Sequence, residues 1–73
     1  MAEYQVNFLW DEEAAVWIAA SDEIPGLVLE SGSLDALMER VRYTAPELLA
    51  LNGQPEDDFS LHFLSERREL ISC

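Results

Sequence analysis

The sequence contains no lysine, one histidine and one cysteine among its 73 residues, and four arginines face fifteen Asp plus Glu. Each shortage excludes something. A formal net charge of −11 leaves too little positive charge to neutralise phosphates, so direct nucleic-acid binding is not expected. Anionic membrane surfaces are disfavoured for the same reason. A single cysteine, Cys73, cannot form an internal disulfide, and a terminal thiol without cationic neighbours is expected to be inert. The opening residues Met1-Ala2-Glu3-Tyr4 carry no basic n-region and no apolar h-region, so no signal peptide is expected. No apolar run approaches the ~18 residues of a membrane span. A cytoplasmic setting is the expectation.

What remains is short and apolar. At 73 residues with 49% hydrophobic content, the chain is expected to be one domain over residues 1–73, too apolar to be an acidic disordered tail. A domain this small buries only about 60% of its unfolded surface, so association would stabilise it. Electrostatic steering favours a basic protein partner.

Hydrophobic spacing defines the elements. Tyr4, Val6, Phe8 and Trp10 alternate with other residues, the period of a half-buried strand. Asp11 to Ala14 reads as a hairpin turn. In the second run, Ala15 to Ser21, both faces are apolar: Val16, Ile18 and Ala20 share one, and Ala15, Trp17 and Ala19 the other. Assigning Ile18 to the core with Phe8 leaves Leu9, Trp17, Ala19 and Val28 on the opposite face. Trp favours interfaces, so these four are the candidate contact residues, and a homodimer is the simplest way to cover them. Pro25-Gly26 has the chemistry of a type II turn, with Pro fixing φ at its second position and Gly allowing positive φ at its third. A third strand over Leu27 to Glu30 completes an antiparallel meander.

The period then changes to that of a helix. Leu34, Leu37, Met38, Val41, Ala45 and Leu48 form one stripe. Ser33 is the expected N-cap, and Asp35 suits the first turn. Pro46 predicts an interruption, giving segments over 33–43 and 45–51 or one kinked unit. Asn52-Gly53 predicts the helix end. Phe59, Leu61 and Phe63 alternate as a fourth strand, with an extension toward Leu70. The predicted fold class is α+β: a two-layer β-β-β-α-β arrangement, an antiparallel meander with one kinked helix packed on one face. The expected core is Tyr4, Val6, Phe8, Val16, Ile18, Leu27, Leu29, Phe59, Leu61 and Phe63 under the helical stripe.

The search for chemistry returns little. Asp11-Glu12-Glu13 and Glu56-Asp57-Asp58 are dense but fall in predicted turns, and neither has the ligand spacing of a Ca²⁺ loop. His62 has no companion metal ligands. Arg40 and Arg42 lie on different helix faces, and Arg67 and Arg68 point to opposite sides in a strand, with Glu66 and Glu69 as simple ion-pair partners. No catalytic, cofactor or metal residues are expected, and no cofactor. A non-enzymatic interaction module is the first reading. A small metal-dependent hydrolase or nuclease using the acidic loop clusters is the alternative.

Three motifs carry a resemblance. Trp17-Ile18-Ala19, Asp22-Glu23-Ile24-Pro25-Gly26 and Ser33-Leu34-Asp35-Ala36-Leu37, in that order and spacing, resemble the N-terminal domain of HicB-like antitoxins. The likeness spans residues 4–45, and the whole chain resembles short bacterial HicB-like proteins of unassigned function. It implies a degenerate ribonuclease-H-like fold without catalytic carboxylates, a homo-oligomer, and binding to a small basic HicA-like toxin that cleaves mRNA. The C-terminal DNA-binding domain usual in that family has no counterpart in the stretch after Asp58, so autoregulation through DNA is not expected.

Overall fold

The computed structural model describes residues 2–54 and 57–72. Glu56, counted above in an acidic cluster, and Cys73 lie outside the described residues. The elements run β1 (Ala2–Asp11), β2 (Val16–Ala20), β3 (Val28–Ser31), α1 (Leu34–Leu51) and β4 (Phe59–Glu66). The class is α+β, with one helix against one face of a four-stranded sheet ordered β3-β2-β1-β4.

β1, β2 and β3 form the antiparallel meander. β4 lies on the other side of β1 and runs parallel to it, from Ala2↔Phe59 to Leu9↔Glu66. The sheet is therefore mixed. The helix is the reason: a parallel neighbour needs a crossover connection, and α1 carries the chain from one sheet edge to the other.

The first hairpin sets the register. Asp11 Oδ1 accepts from the backbone N–H of Glu13 and of Ala14, at 3.1 and 3.2 Å, and Ala15 adopts φ 56°. The four-residue loop pairs Asp11 with Val16, hence Trp10 with Trp17 and Phe8 with Ala19. Directly paired residues share a face. Trp17 and Ala19 therefore lie with Phe8 beneath the helix, and Val16, Ile18 and Ala20 lie on the other side. This corrects the expectation that put Val16 and Ile18 in the core and Trp17 and Ala19 opposite. Both faces of β2 are apolar, so its composition does not orient it; the loop length does.

Under the helix, Val6, Phe8, Ala19, Ile24, Leu27, Leu37, Val41, Ala45 and Leu49 form the buried cluster. Tyr4, Trp17, Leu29, Phe59, Leu61 and Phe63 pack around it half-buried. Edge-to-face pairs join β1 to β4: Tyr4–Phe59 at 5.7 Å and Phe8–Phe63 at 5.1 Å between ring centroids.

α1 is one element across Pro46. Proline removes only one N–H, and both Pro46 and Arg42, whose carbonyl would have received it, are exposed to solvent. Ser33 caps the start, its hydroxyl accepting from the Ala36 N–H at 3.2 Å. Gly53, at φ +76°, closes the end as a Schellman turn: Gly53 N–H donates to Ala50 O at 3.1 Å and Gln54 N–H to Leu49 O at 3.0 Å.

Candidate interaction surface

The uncovered side of the sheet is the candidate site. β1 contributes Gln5, Asn7, Leu9 and Asp11; β2 contributes Val16, Ile18 and Ala20; β3 contributes Val28 and Glu30; β4 contributes Ser60, His62, Leu64 and Glu66. Leu9 pairs with Ile18, and Ala20 with Val28, so the apolar side chains form a diagonal band across three strands. Leu9, Val28 and Leu64 are 53%, 71% and 43% exposed, whereas single scattered exposed aliphatics would need no account. Asp11, Glu30 and Glu66 rim the band.

Of the four contact residues read from the sequence, Leu9 and Val28 lie in this band. Trp17 and Ala19 do not: Ala19 is fully buried and Trp17 stacks edge-on against Trp10 at 5.5 Å. Val16, Ile18, Ala20 and Leu64 are the band members that the sequence reading missed. Once the hairpin loop is counted as four residues, the parity of pairing identifies the three from β2, and Leu64 follows from its alternation with Phe63 in β4.

The turn at Pro25-Gly26 holds β3 to this layout. Leu27 N–H donates to Ile24 O at 3.2 Å, and Gly26 takes φ +86°, the geometry of a type II turn. Ile24 and Leu27, on either side, are both in the buried cluster. Just ahead of the turn, Ser21 and Glu23 extend the pairing of β1 beyond the end of β2. Ser21 Oγ donates to Gln5 O at 2.6 Å, and Gln5 N–H donates to Glu23 Oε1 at 2.7 Å.

A second feature lies where β1 and β4 end. Arg67 stacks over Trp10, its guanidinium carbon 4.0 Å from the ring centroid, and also pairs with Glu69 at 2.7 Å. Arg68 pairs with Glu66 at 2.8 Å. β4 ends at Glu66 rather than running on to Leu70, and its only strand neighbour, β1, itself ends at Asp11. These groups line a shallow depression of about 260 Å³ with Leu9 and Glu12. That is smaller than usual small-molecule sites, and both its arginines already hold carboxylates.

The acidic clusters stay apart from any shared centre. Asp11 caps its own turn, while Asp57 and Asp58 are exposed ahead of β4. Among the described residues no three His, Cys, Asp or Glu side chains are grouped as metal ligands. Among the same residues no helix is long and apolar enough to cross a membrane. His62 is an exposed side chain of β4 on the uncovered face.

The fold and surface define a small α+β domain with one side of its sheet left open. The chain belongs to the DUF1902 family: the model of that domain of unknown function matches residues 3–72. It is also similar to a hypothetical protein from the extremely thermophilic bacterium Thermus thermophilus, known from a crystal structure. The identity is 37%, the TM-score is 0.81, and the match covers 94% of this chain and 99% of that one. No curated protein matches.

Proposed function

We propose that the chain is a non-enzymatic protein-interaction module of the HicB-like type, built on a degenerate ribonuclease-H-like fold over residues 1–73. It acts as a homodimer and takes a small basic HicA-like toxin as partner. The observation that carries the reading is the open band of Leu9, Val16, Ile18, Ala20, Val28 and Leu64, rimmed by Asp11, Glu30 and Glu66. Such a surface suits a partner with an apolar centre and basic surroundings, and the net charge of −11 would speed the encounter. The motif resemblance supplies the class of partner.

The test is titration against a HicA-like protein encoded beside this gene. Binding should weaken steeply as salt is raised. Leu9→Asp and Val28→Asp should abolish it while leaving thermal stability nearly unchanged, because both side chains are solvent-exposed. Failure to bind the adjacent toxin, or binding indifferent to both substitutions, would overturn the proposal.

A further inference from the structure

The two edges of the sheet are unequal. β3 is four residues long, carries Glu30, and has its Glu30 carbonyl occupied by Arg40 Nη1 at 3.1 Å. β4 is eight residues long, and among the described residues no strand pairs with its outer side. Charge, proline and bulges are the devices that protect an open edge. From Phe59 to Ser65 β4 has no charged residue and no proline, and its register with β1 is unbroken by a bulge.

The side chains of this edge define what fits it. The backbone of α1 lies closest to β3 and β2, so the helix covers the opposite half of the sheet. On the helix side of β4, Phe59, Leu61 and Phe63 are therefore only half-buried, while Ser60 and His62 stand exposed on the other side. A strand laid against β4 would set every second side chain beside the apolar row and the rest beside Ser60 and His62. Charge is also uneven along the edge. Asp57 and Asp58 precede β4, and Glu3 lies at the same end, its Oε1 accepting from Ser60 Oγ at 3.4 Å. Among the described residues none of the three acids is in an ion pair. At the other end Arg67 and Arg68 are already neutralised by Glu69 and Glu66. A second copy would bring that neutral end and a net charge of −11 to the acids, whereas a basic segment brings attraction.

We infer that the outer edge of β4 is a docking site for an extended segment of a different protein. The segment adds to the sheet as a fifth strand through main-chain hydrogen bonds. It alternates apolar and polar residues, apolar toward Phe59, Leu61 and Phe63. It carries Lys or Arg at the end that meets Glu3, Asp57 and Asp58. Antiparallel pairing is the more stable kind, and it puts that basic end at the segment's C-terminus. The site is separate from the open band, so it goes beyond the proposed function and the toxin titration does not decide it.

The probe is an end-blocked peptide, Thr-Val-Thr-Val-Thr-Val-Lys-Lys, titrated into the full ¹⁵N-labelled chain. It should bind saturably and shift amides of β4 but not of β3. Replacing its two lysines by glutamates should weaken binding about tenfold, and Asp57→Asn with Asp58→Asn in the chain about fivefold, the scale of exposed ion pairs. An added strand bonds to its neighbour through every second residue. Of two peptides N-methylated at the valines or at the threonines, one should therefore lose binding and the other keep it. Val28→Asp, on the uncovered face, should leave binding unchanged. Absence of saturable binding would overturn the inference, as would equal binding of both methylated peptides. So would shifts centred on Leu9 and Val28 that vanish in Val28→Asp, which would place the peptide on the open band. Protection of β4 amides that rises with protein concentration in the absence of peptide would give the edge to a second copy instead.

Discussion

Replacing Ala19 by leucine, and separately Ala20 by leucine, tests the register on which every surface assignment rests. The two positions are neighbours in β2 and identical in chemistry, and only the face differs. Ala19 is fully buried and lies between Phe8 and Leu29 in adjacent strands. Three added carbons have no room there, and overpacking of this kind costs about 1–3 kcal/mol. Ala20 pairs with Asn7 and Val28 on the uncovered side, where a leucine can extend toward water and the change should stay within about 0.5 kcal/mol. A 73-residue domain has roughly 4–11 kcal/mol of stability at the usual per-residue value, so Ala19→Leu should still fold. With a urea m-value near 1 kcal/mol/M for a domain of this size, its midpoint should fall by roughly 1–3 M. Tryptophan fluorescence serves as the probe, because Trp10 and Trp17 are in contact at 5.5 Å on the covered face. Each variant is unfolded at several protein concentrations, so that association does not pass for stability. A larger loss at Ala20 than at Ala19 would refute the register, and the open band would then have to be redrawn around Trp17.

Two further substitutions act on the backbone. Ala15→Gly should raise stability by about 0.5–1 kcal/mol, because Ala15 holds φ 56°, where a Cβ is unfavourable; thermal unfolding should show a midpoint higher by roughly 4 °C per kcal/mol or more. Pro46→Ala should also stabilise, by about 1–3 kcal/mol, since it restores a helical N–H within the 18-residue α1; an unchanged or lower thermal midpoint would mean that Pro46 contributes something other than a missing hydrogen bond.

Much of the fold was legible because its signals are local. The alternation of Tyr4, Val6 and Phe8, the Ser33 cap, the Asn52-Gly53 stop and the Pro25-Gly26 turn are each read within a few residues, and each found its element. Two features were not legible, for different reasons. The face of β2 depends on the length of the hairpin loop, and a loop closed by a non-glycine residue at positive φ gives no glycine or asparagine to count from. Both faces of β2 are apolar, so its residues do not choose between them, and the register gives the covered side to Trp17 and the small Ala19, which leaves space for Phe8. The parallel placement of β4 was also hidden, because strand direction across a sheet follows from where the helix delivers the chain rather than from the strand's own residues. Of the four contact residues read from the sequence, Leu9 and Val28 lie on the uncovered side through their own strands, while Trp17 and Ala19 moved with β2.

The unequal sheet edges and the open band follow from one arrangement. α1 begins next to β3, and through Arg40 it occupies a carbonyl of that edge strand. It thereby protects the sheet on the side where the chain enters the helix. It then crosses to the far side and delivers β4, which has no charged residue from Phe59 to Ser65 and one, Glu66, at its end. The acidic residues are distributed in the same sense: they crowd the turns and the rim of the open band, and they are absent from Phe59 to Ser65. Two copies of a chain carrying −11 repel each other over most of their surface.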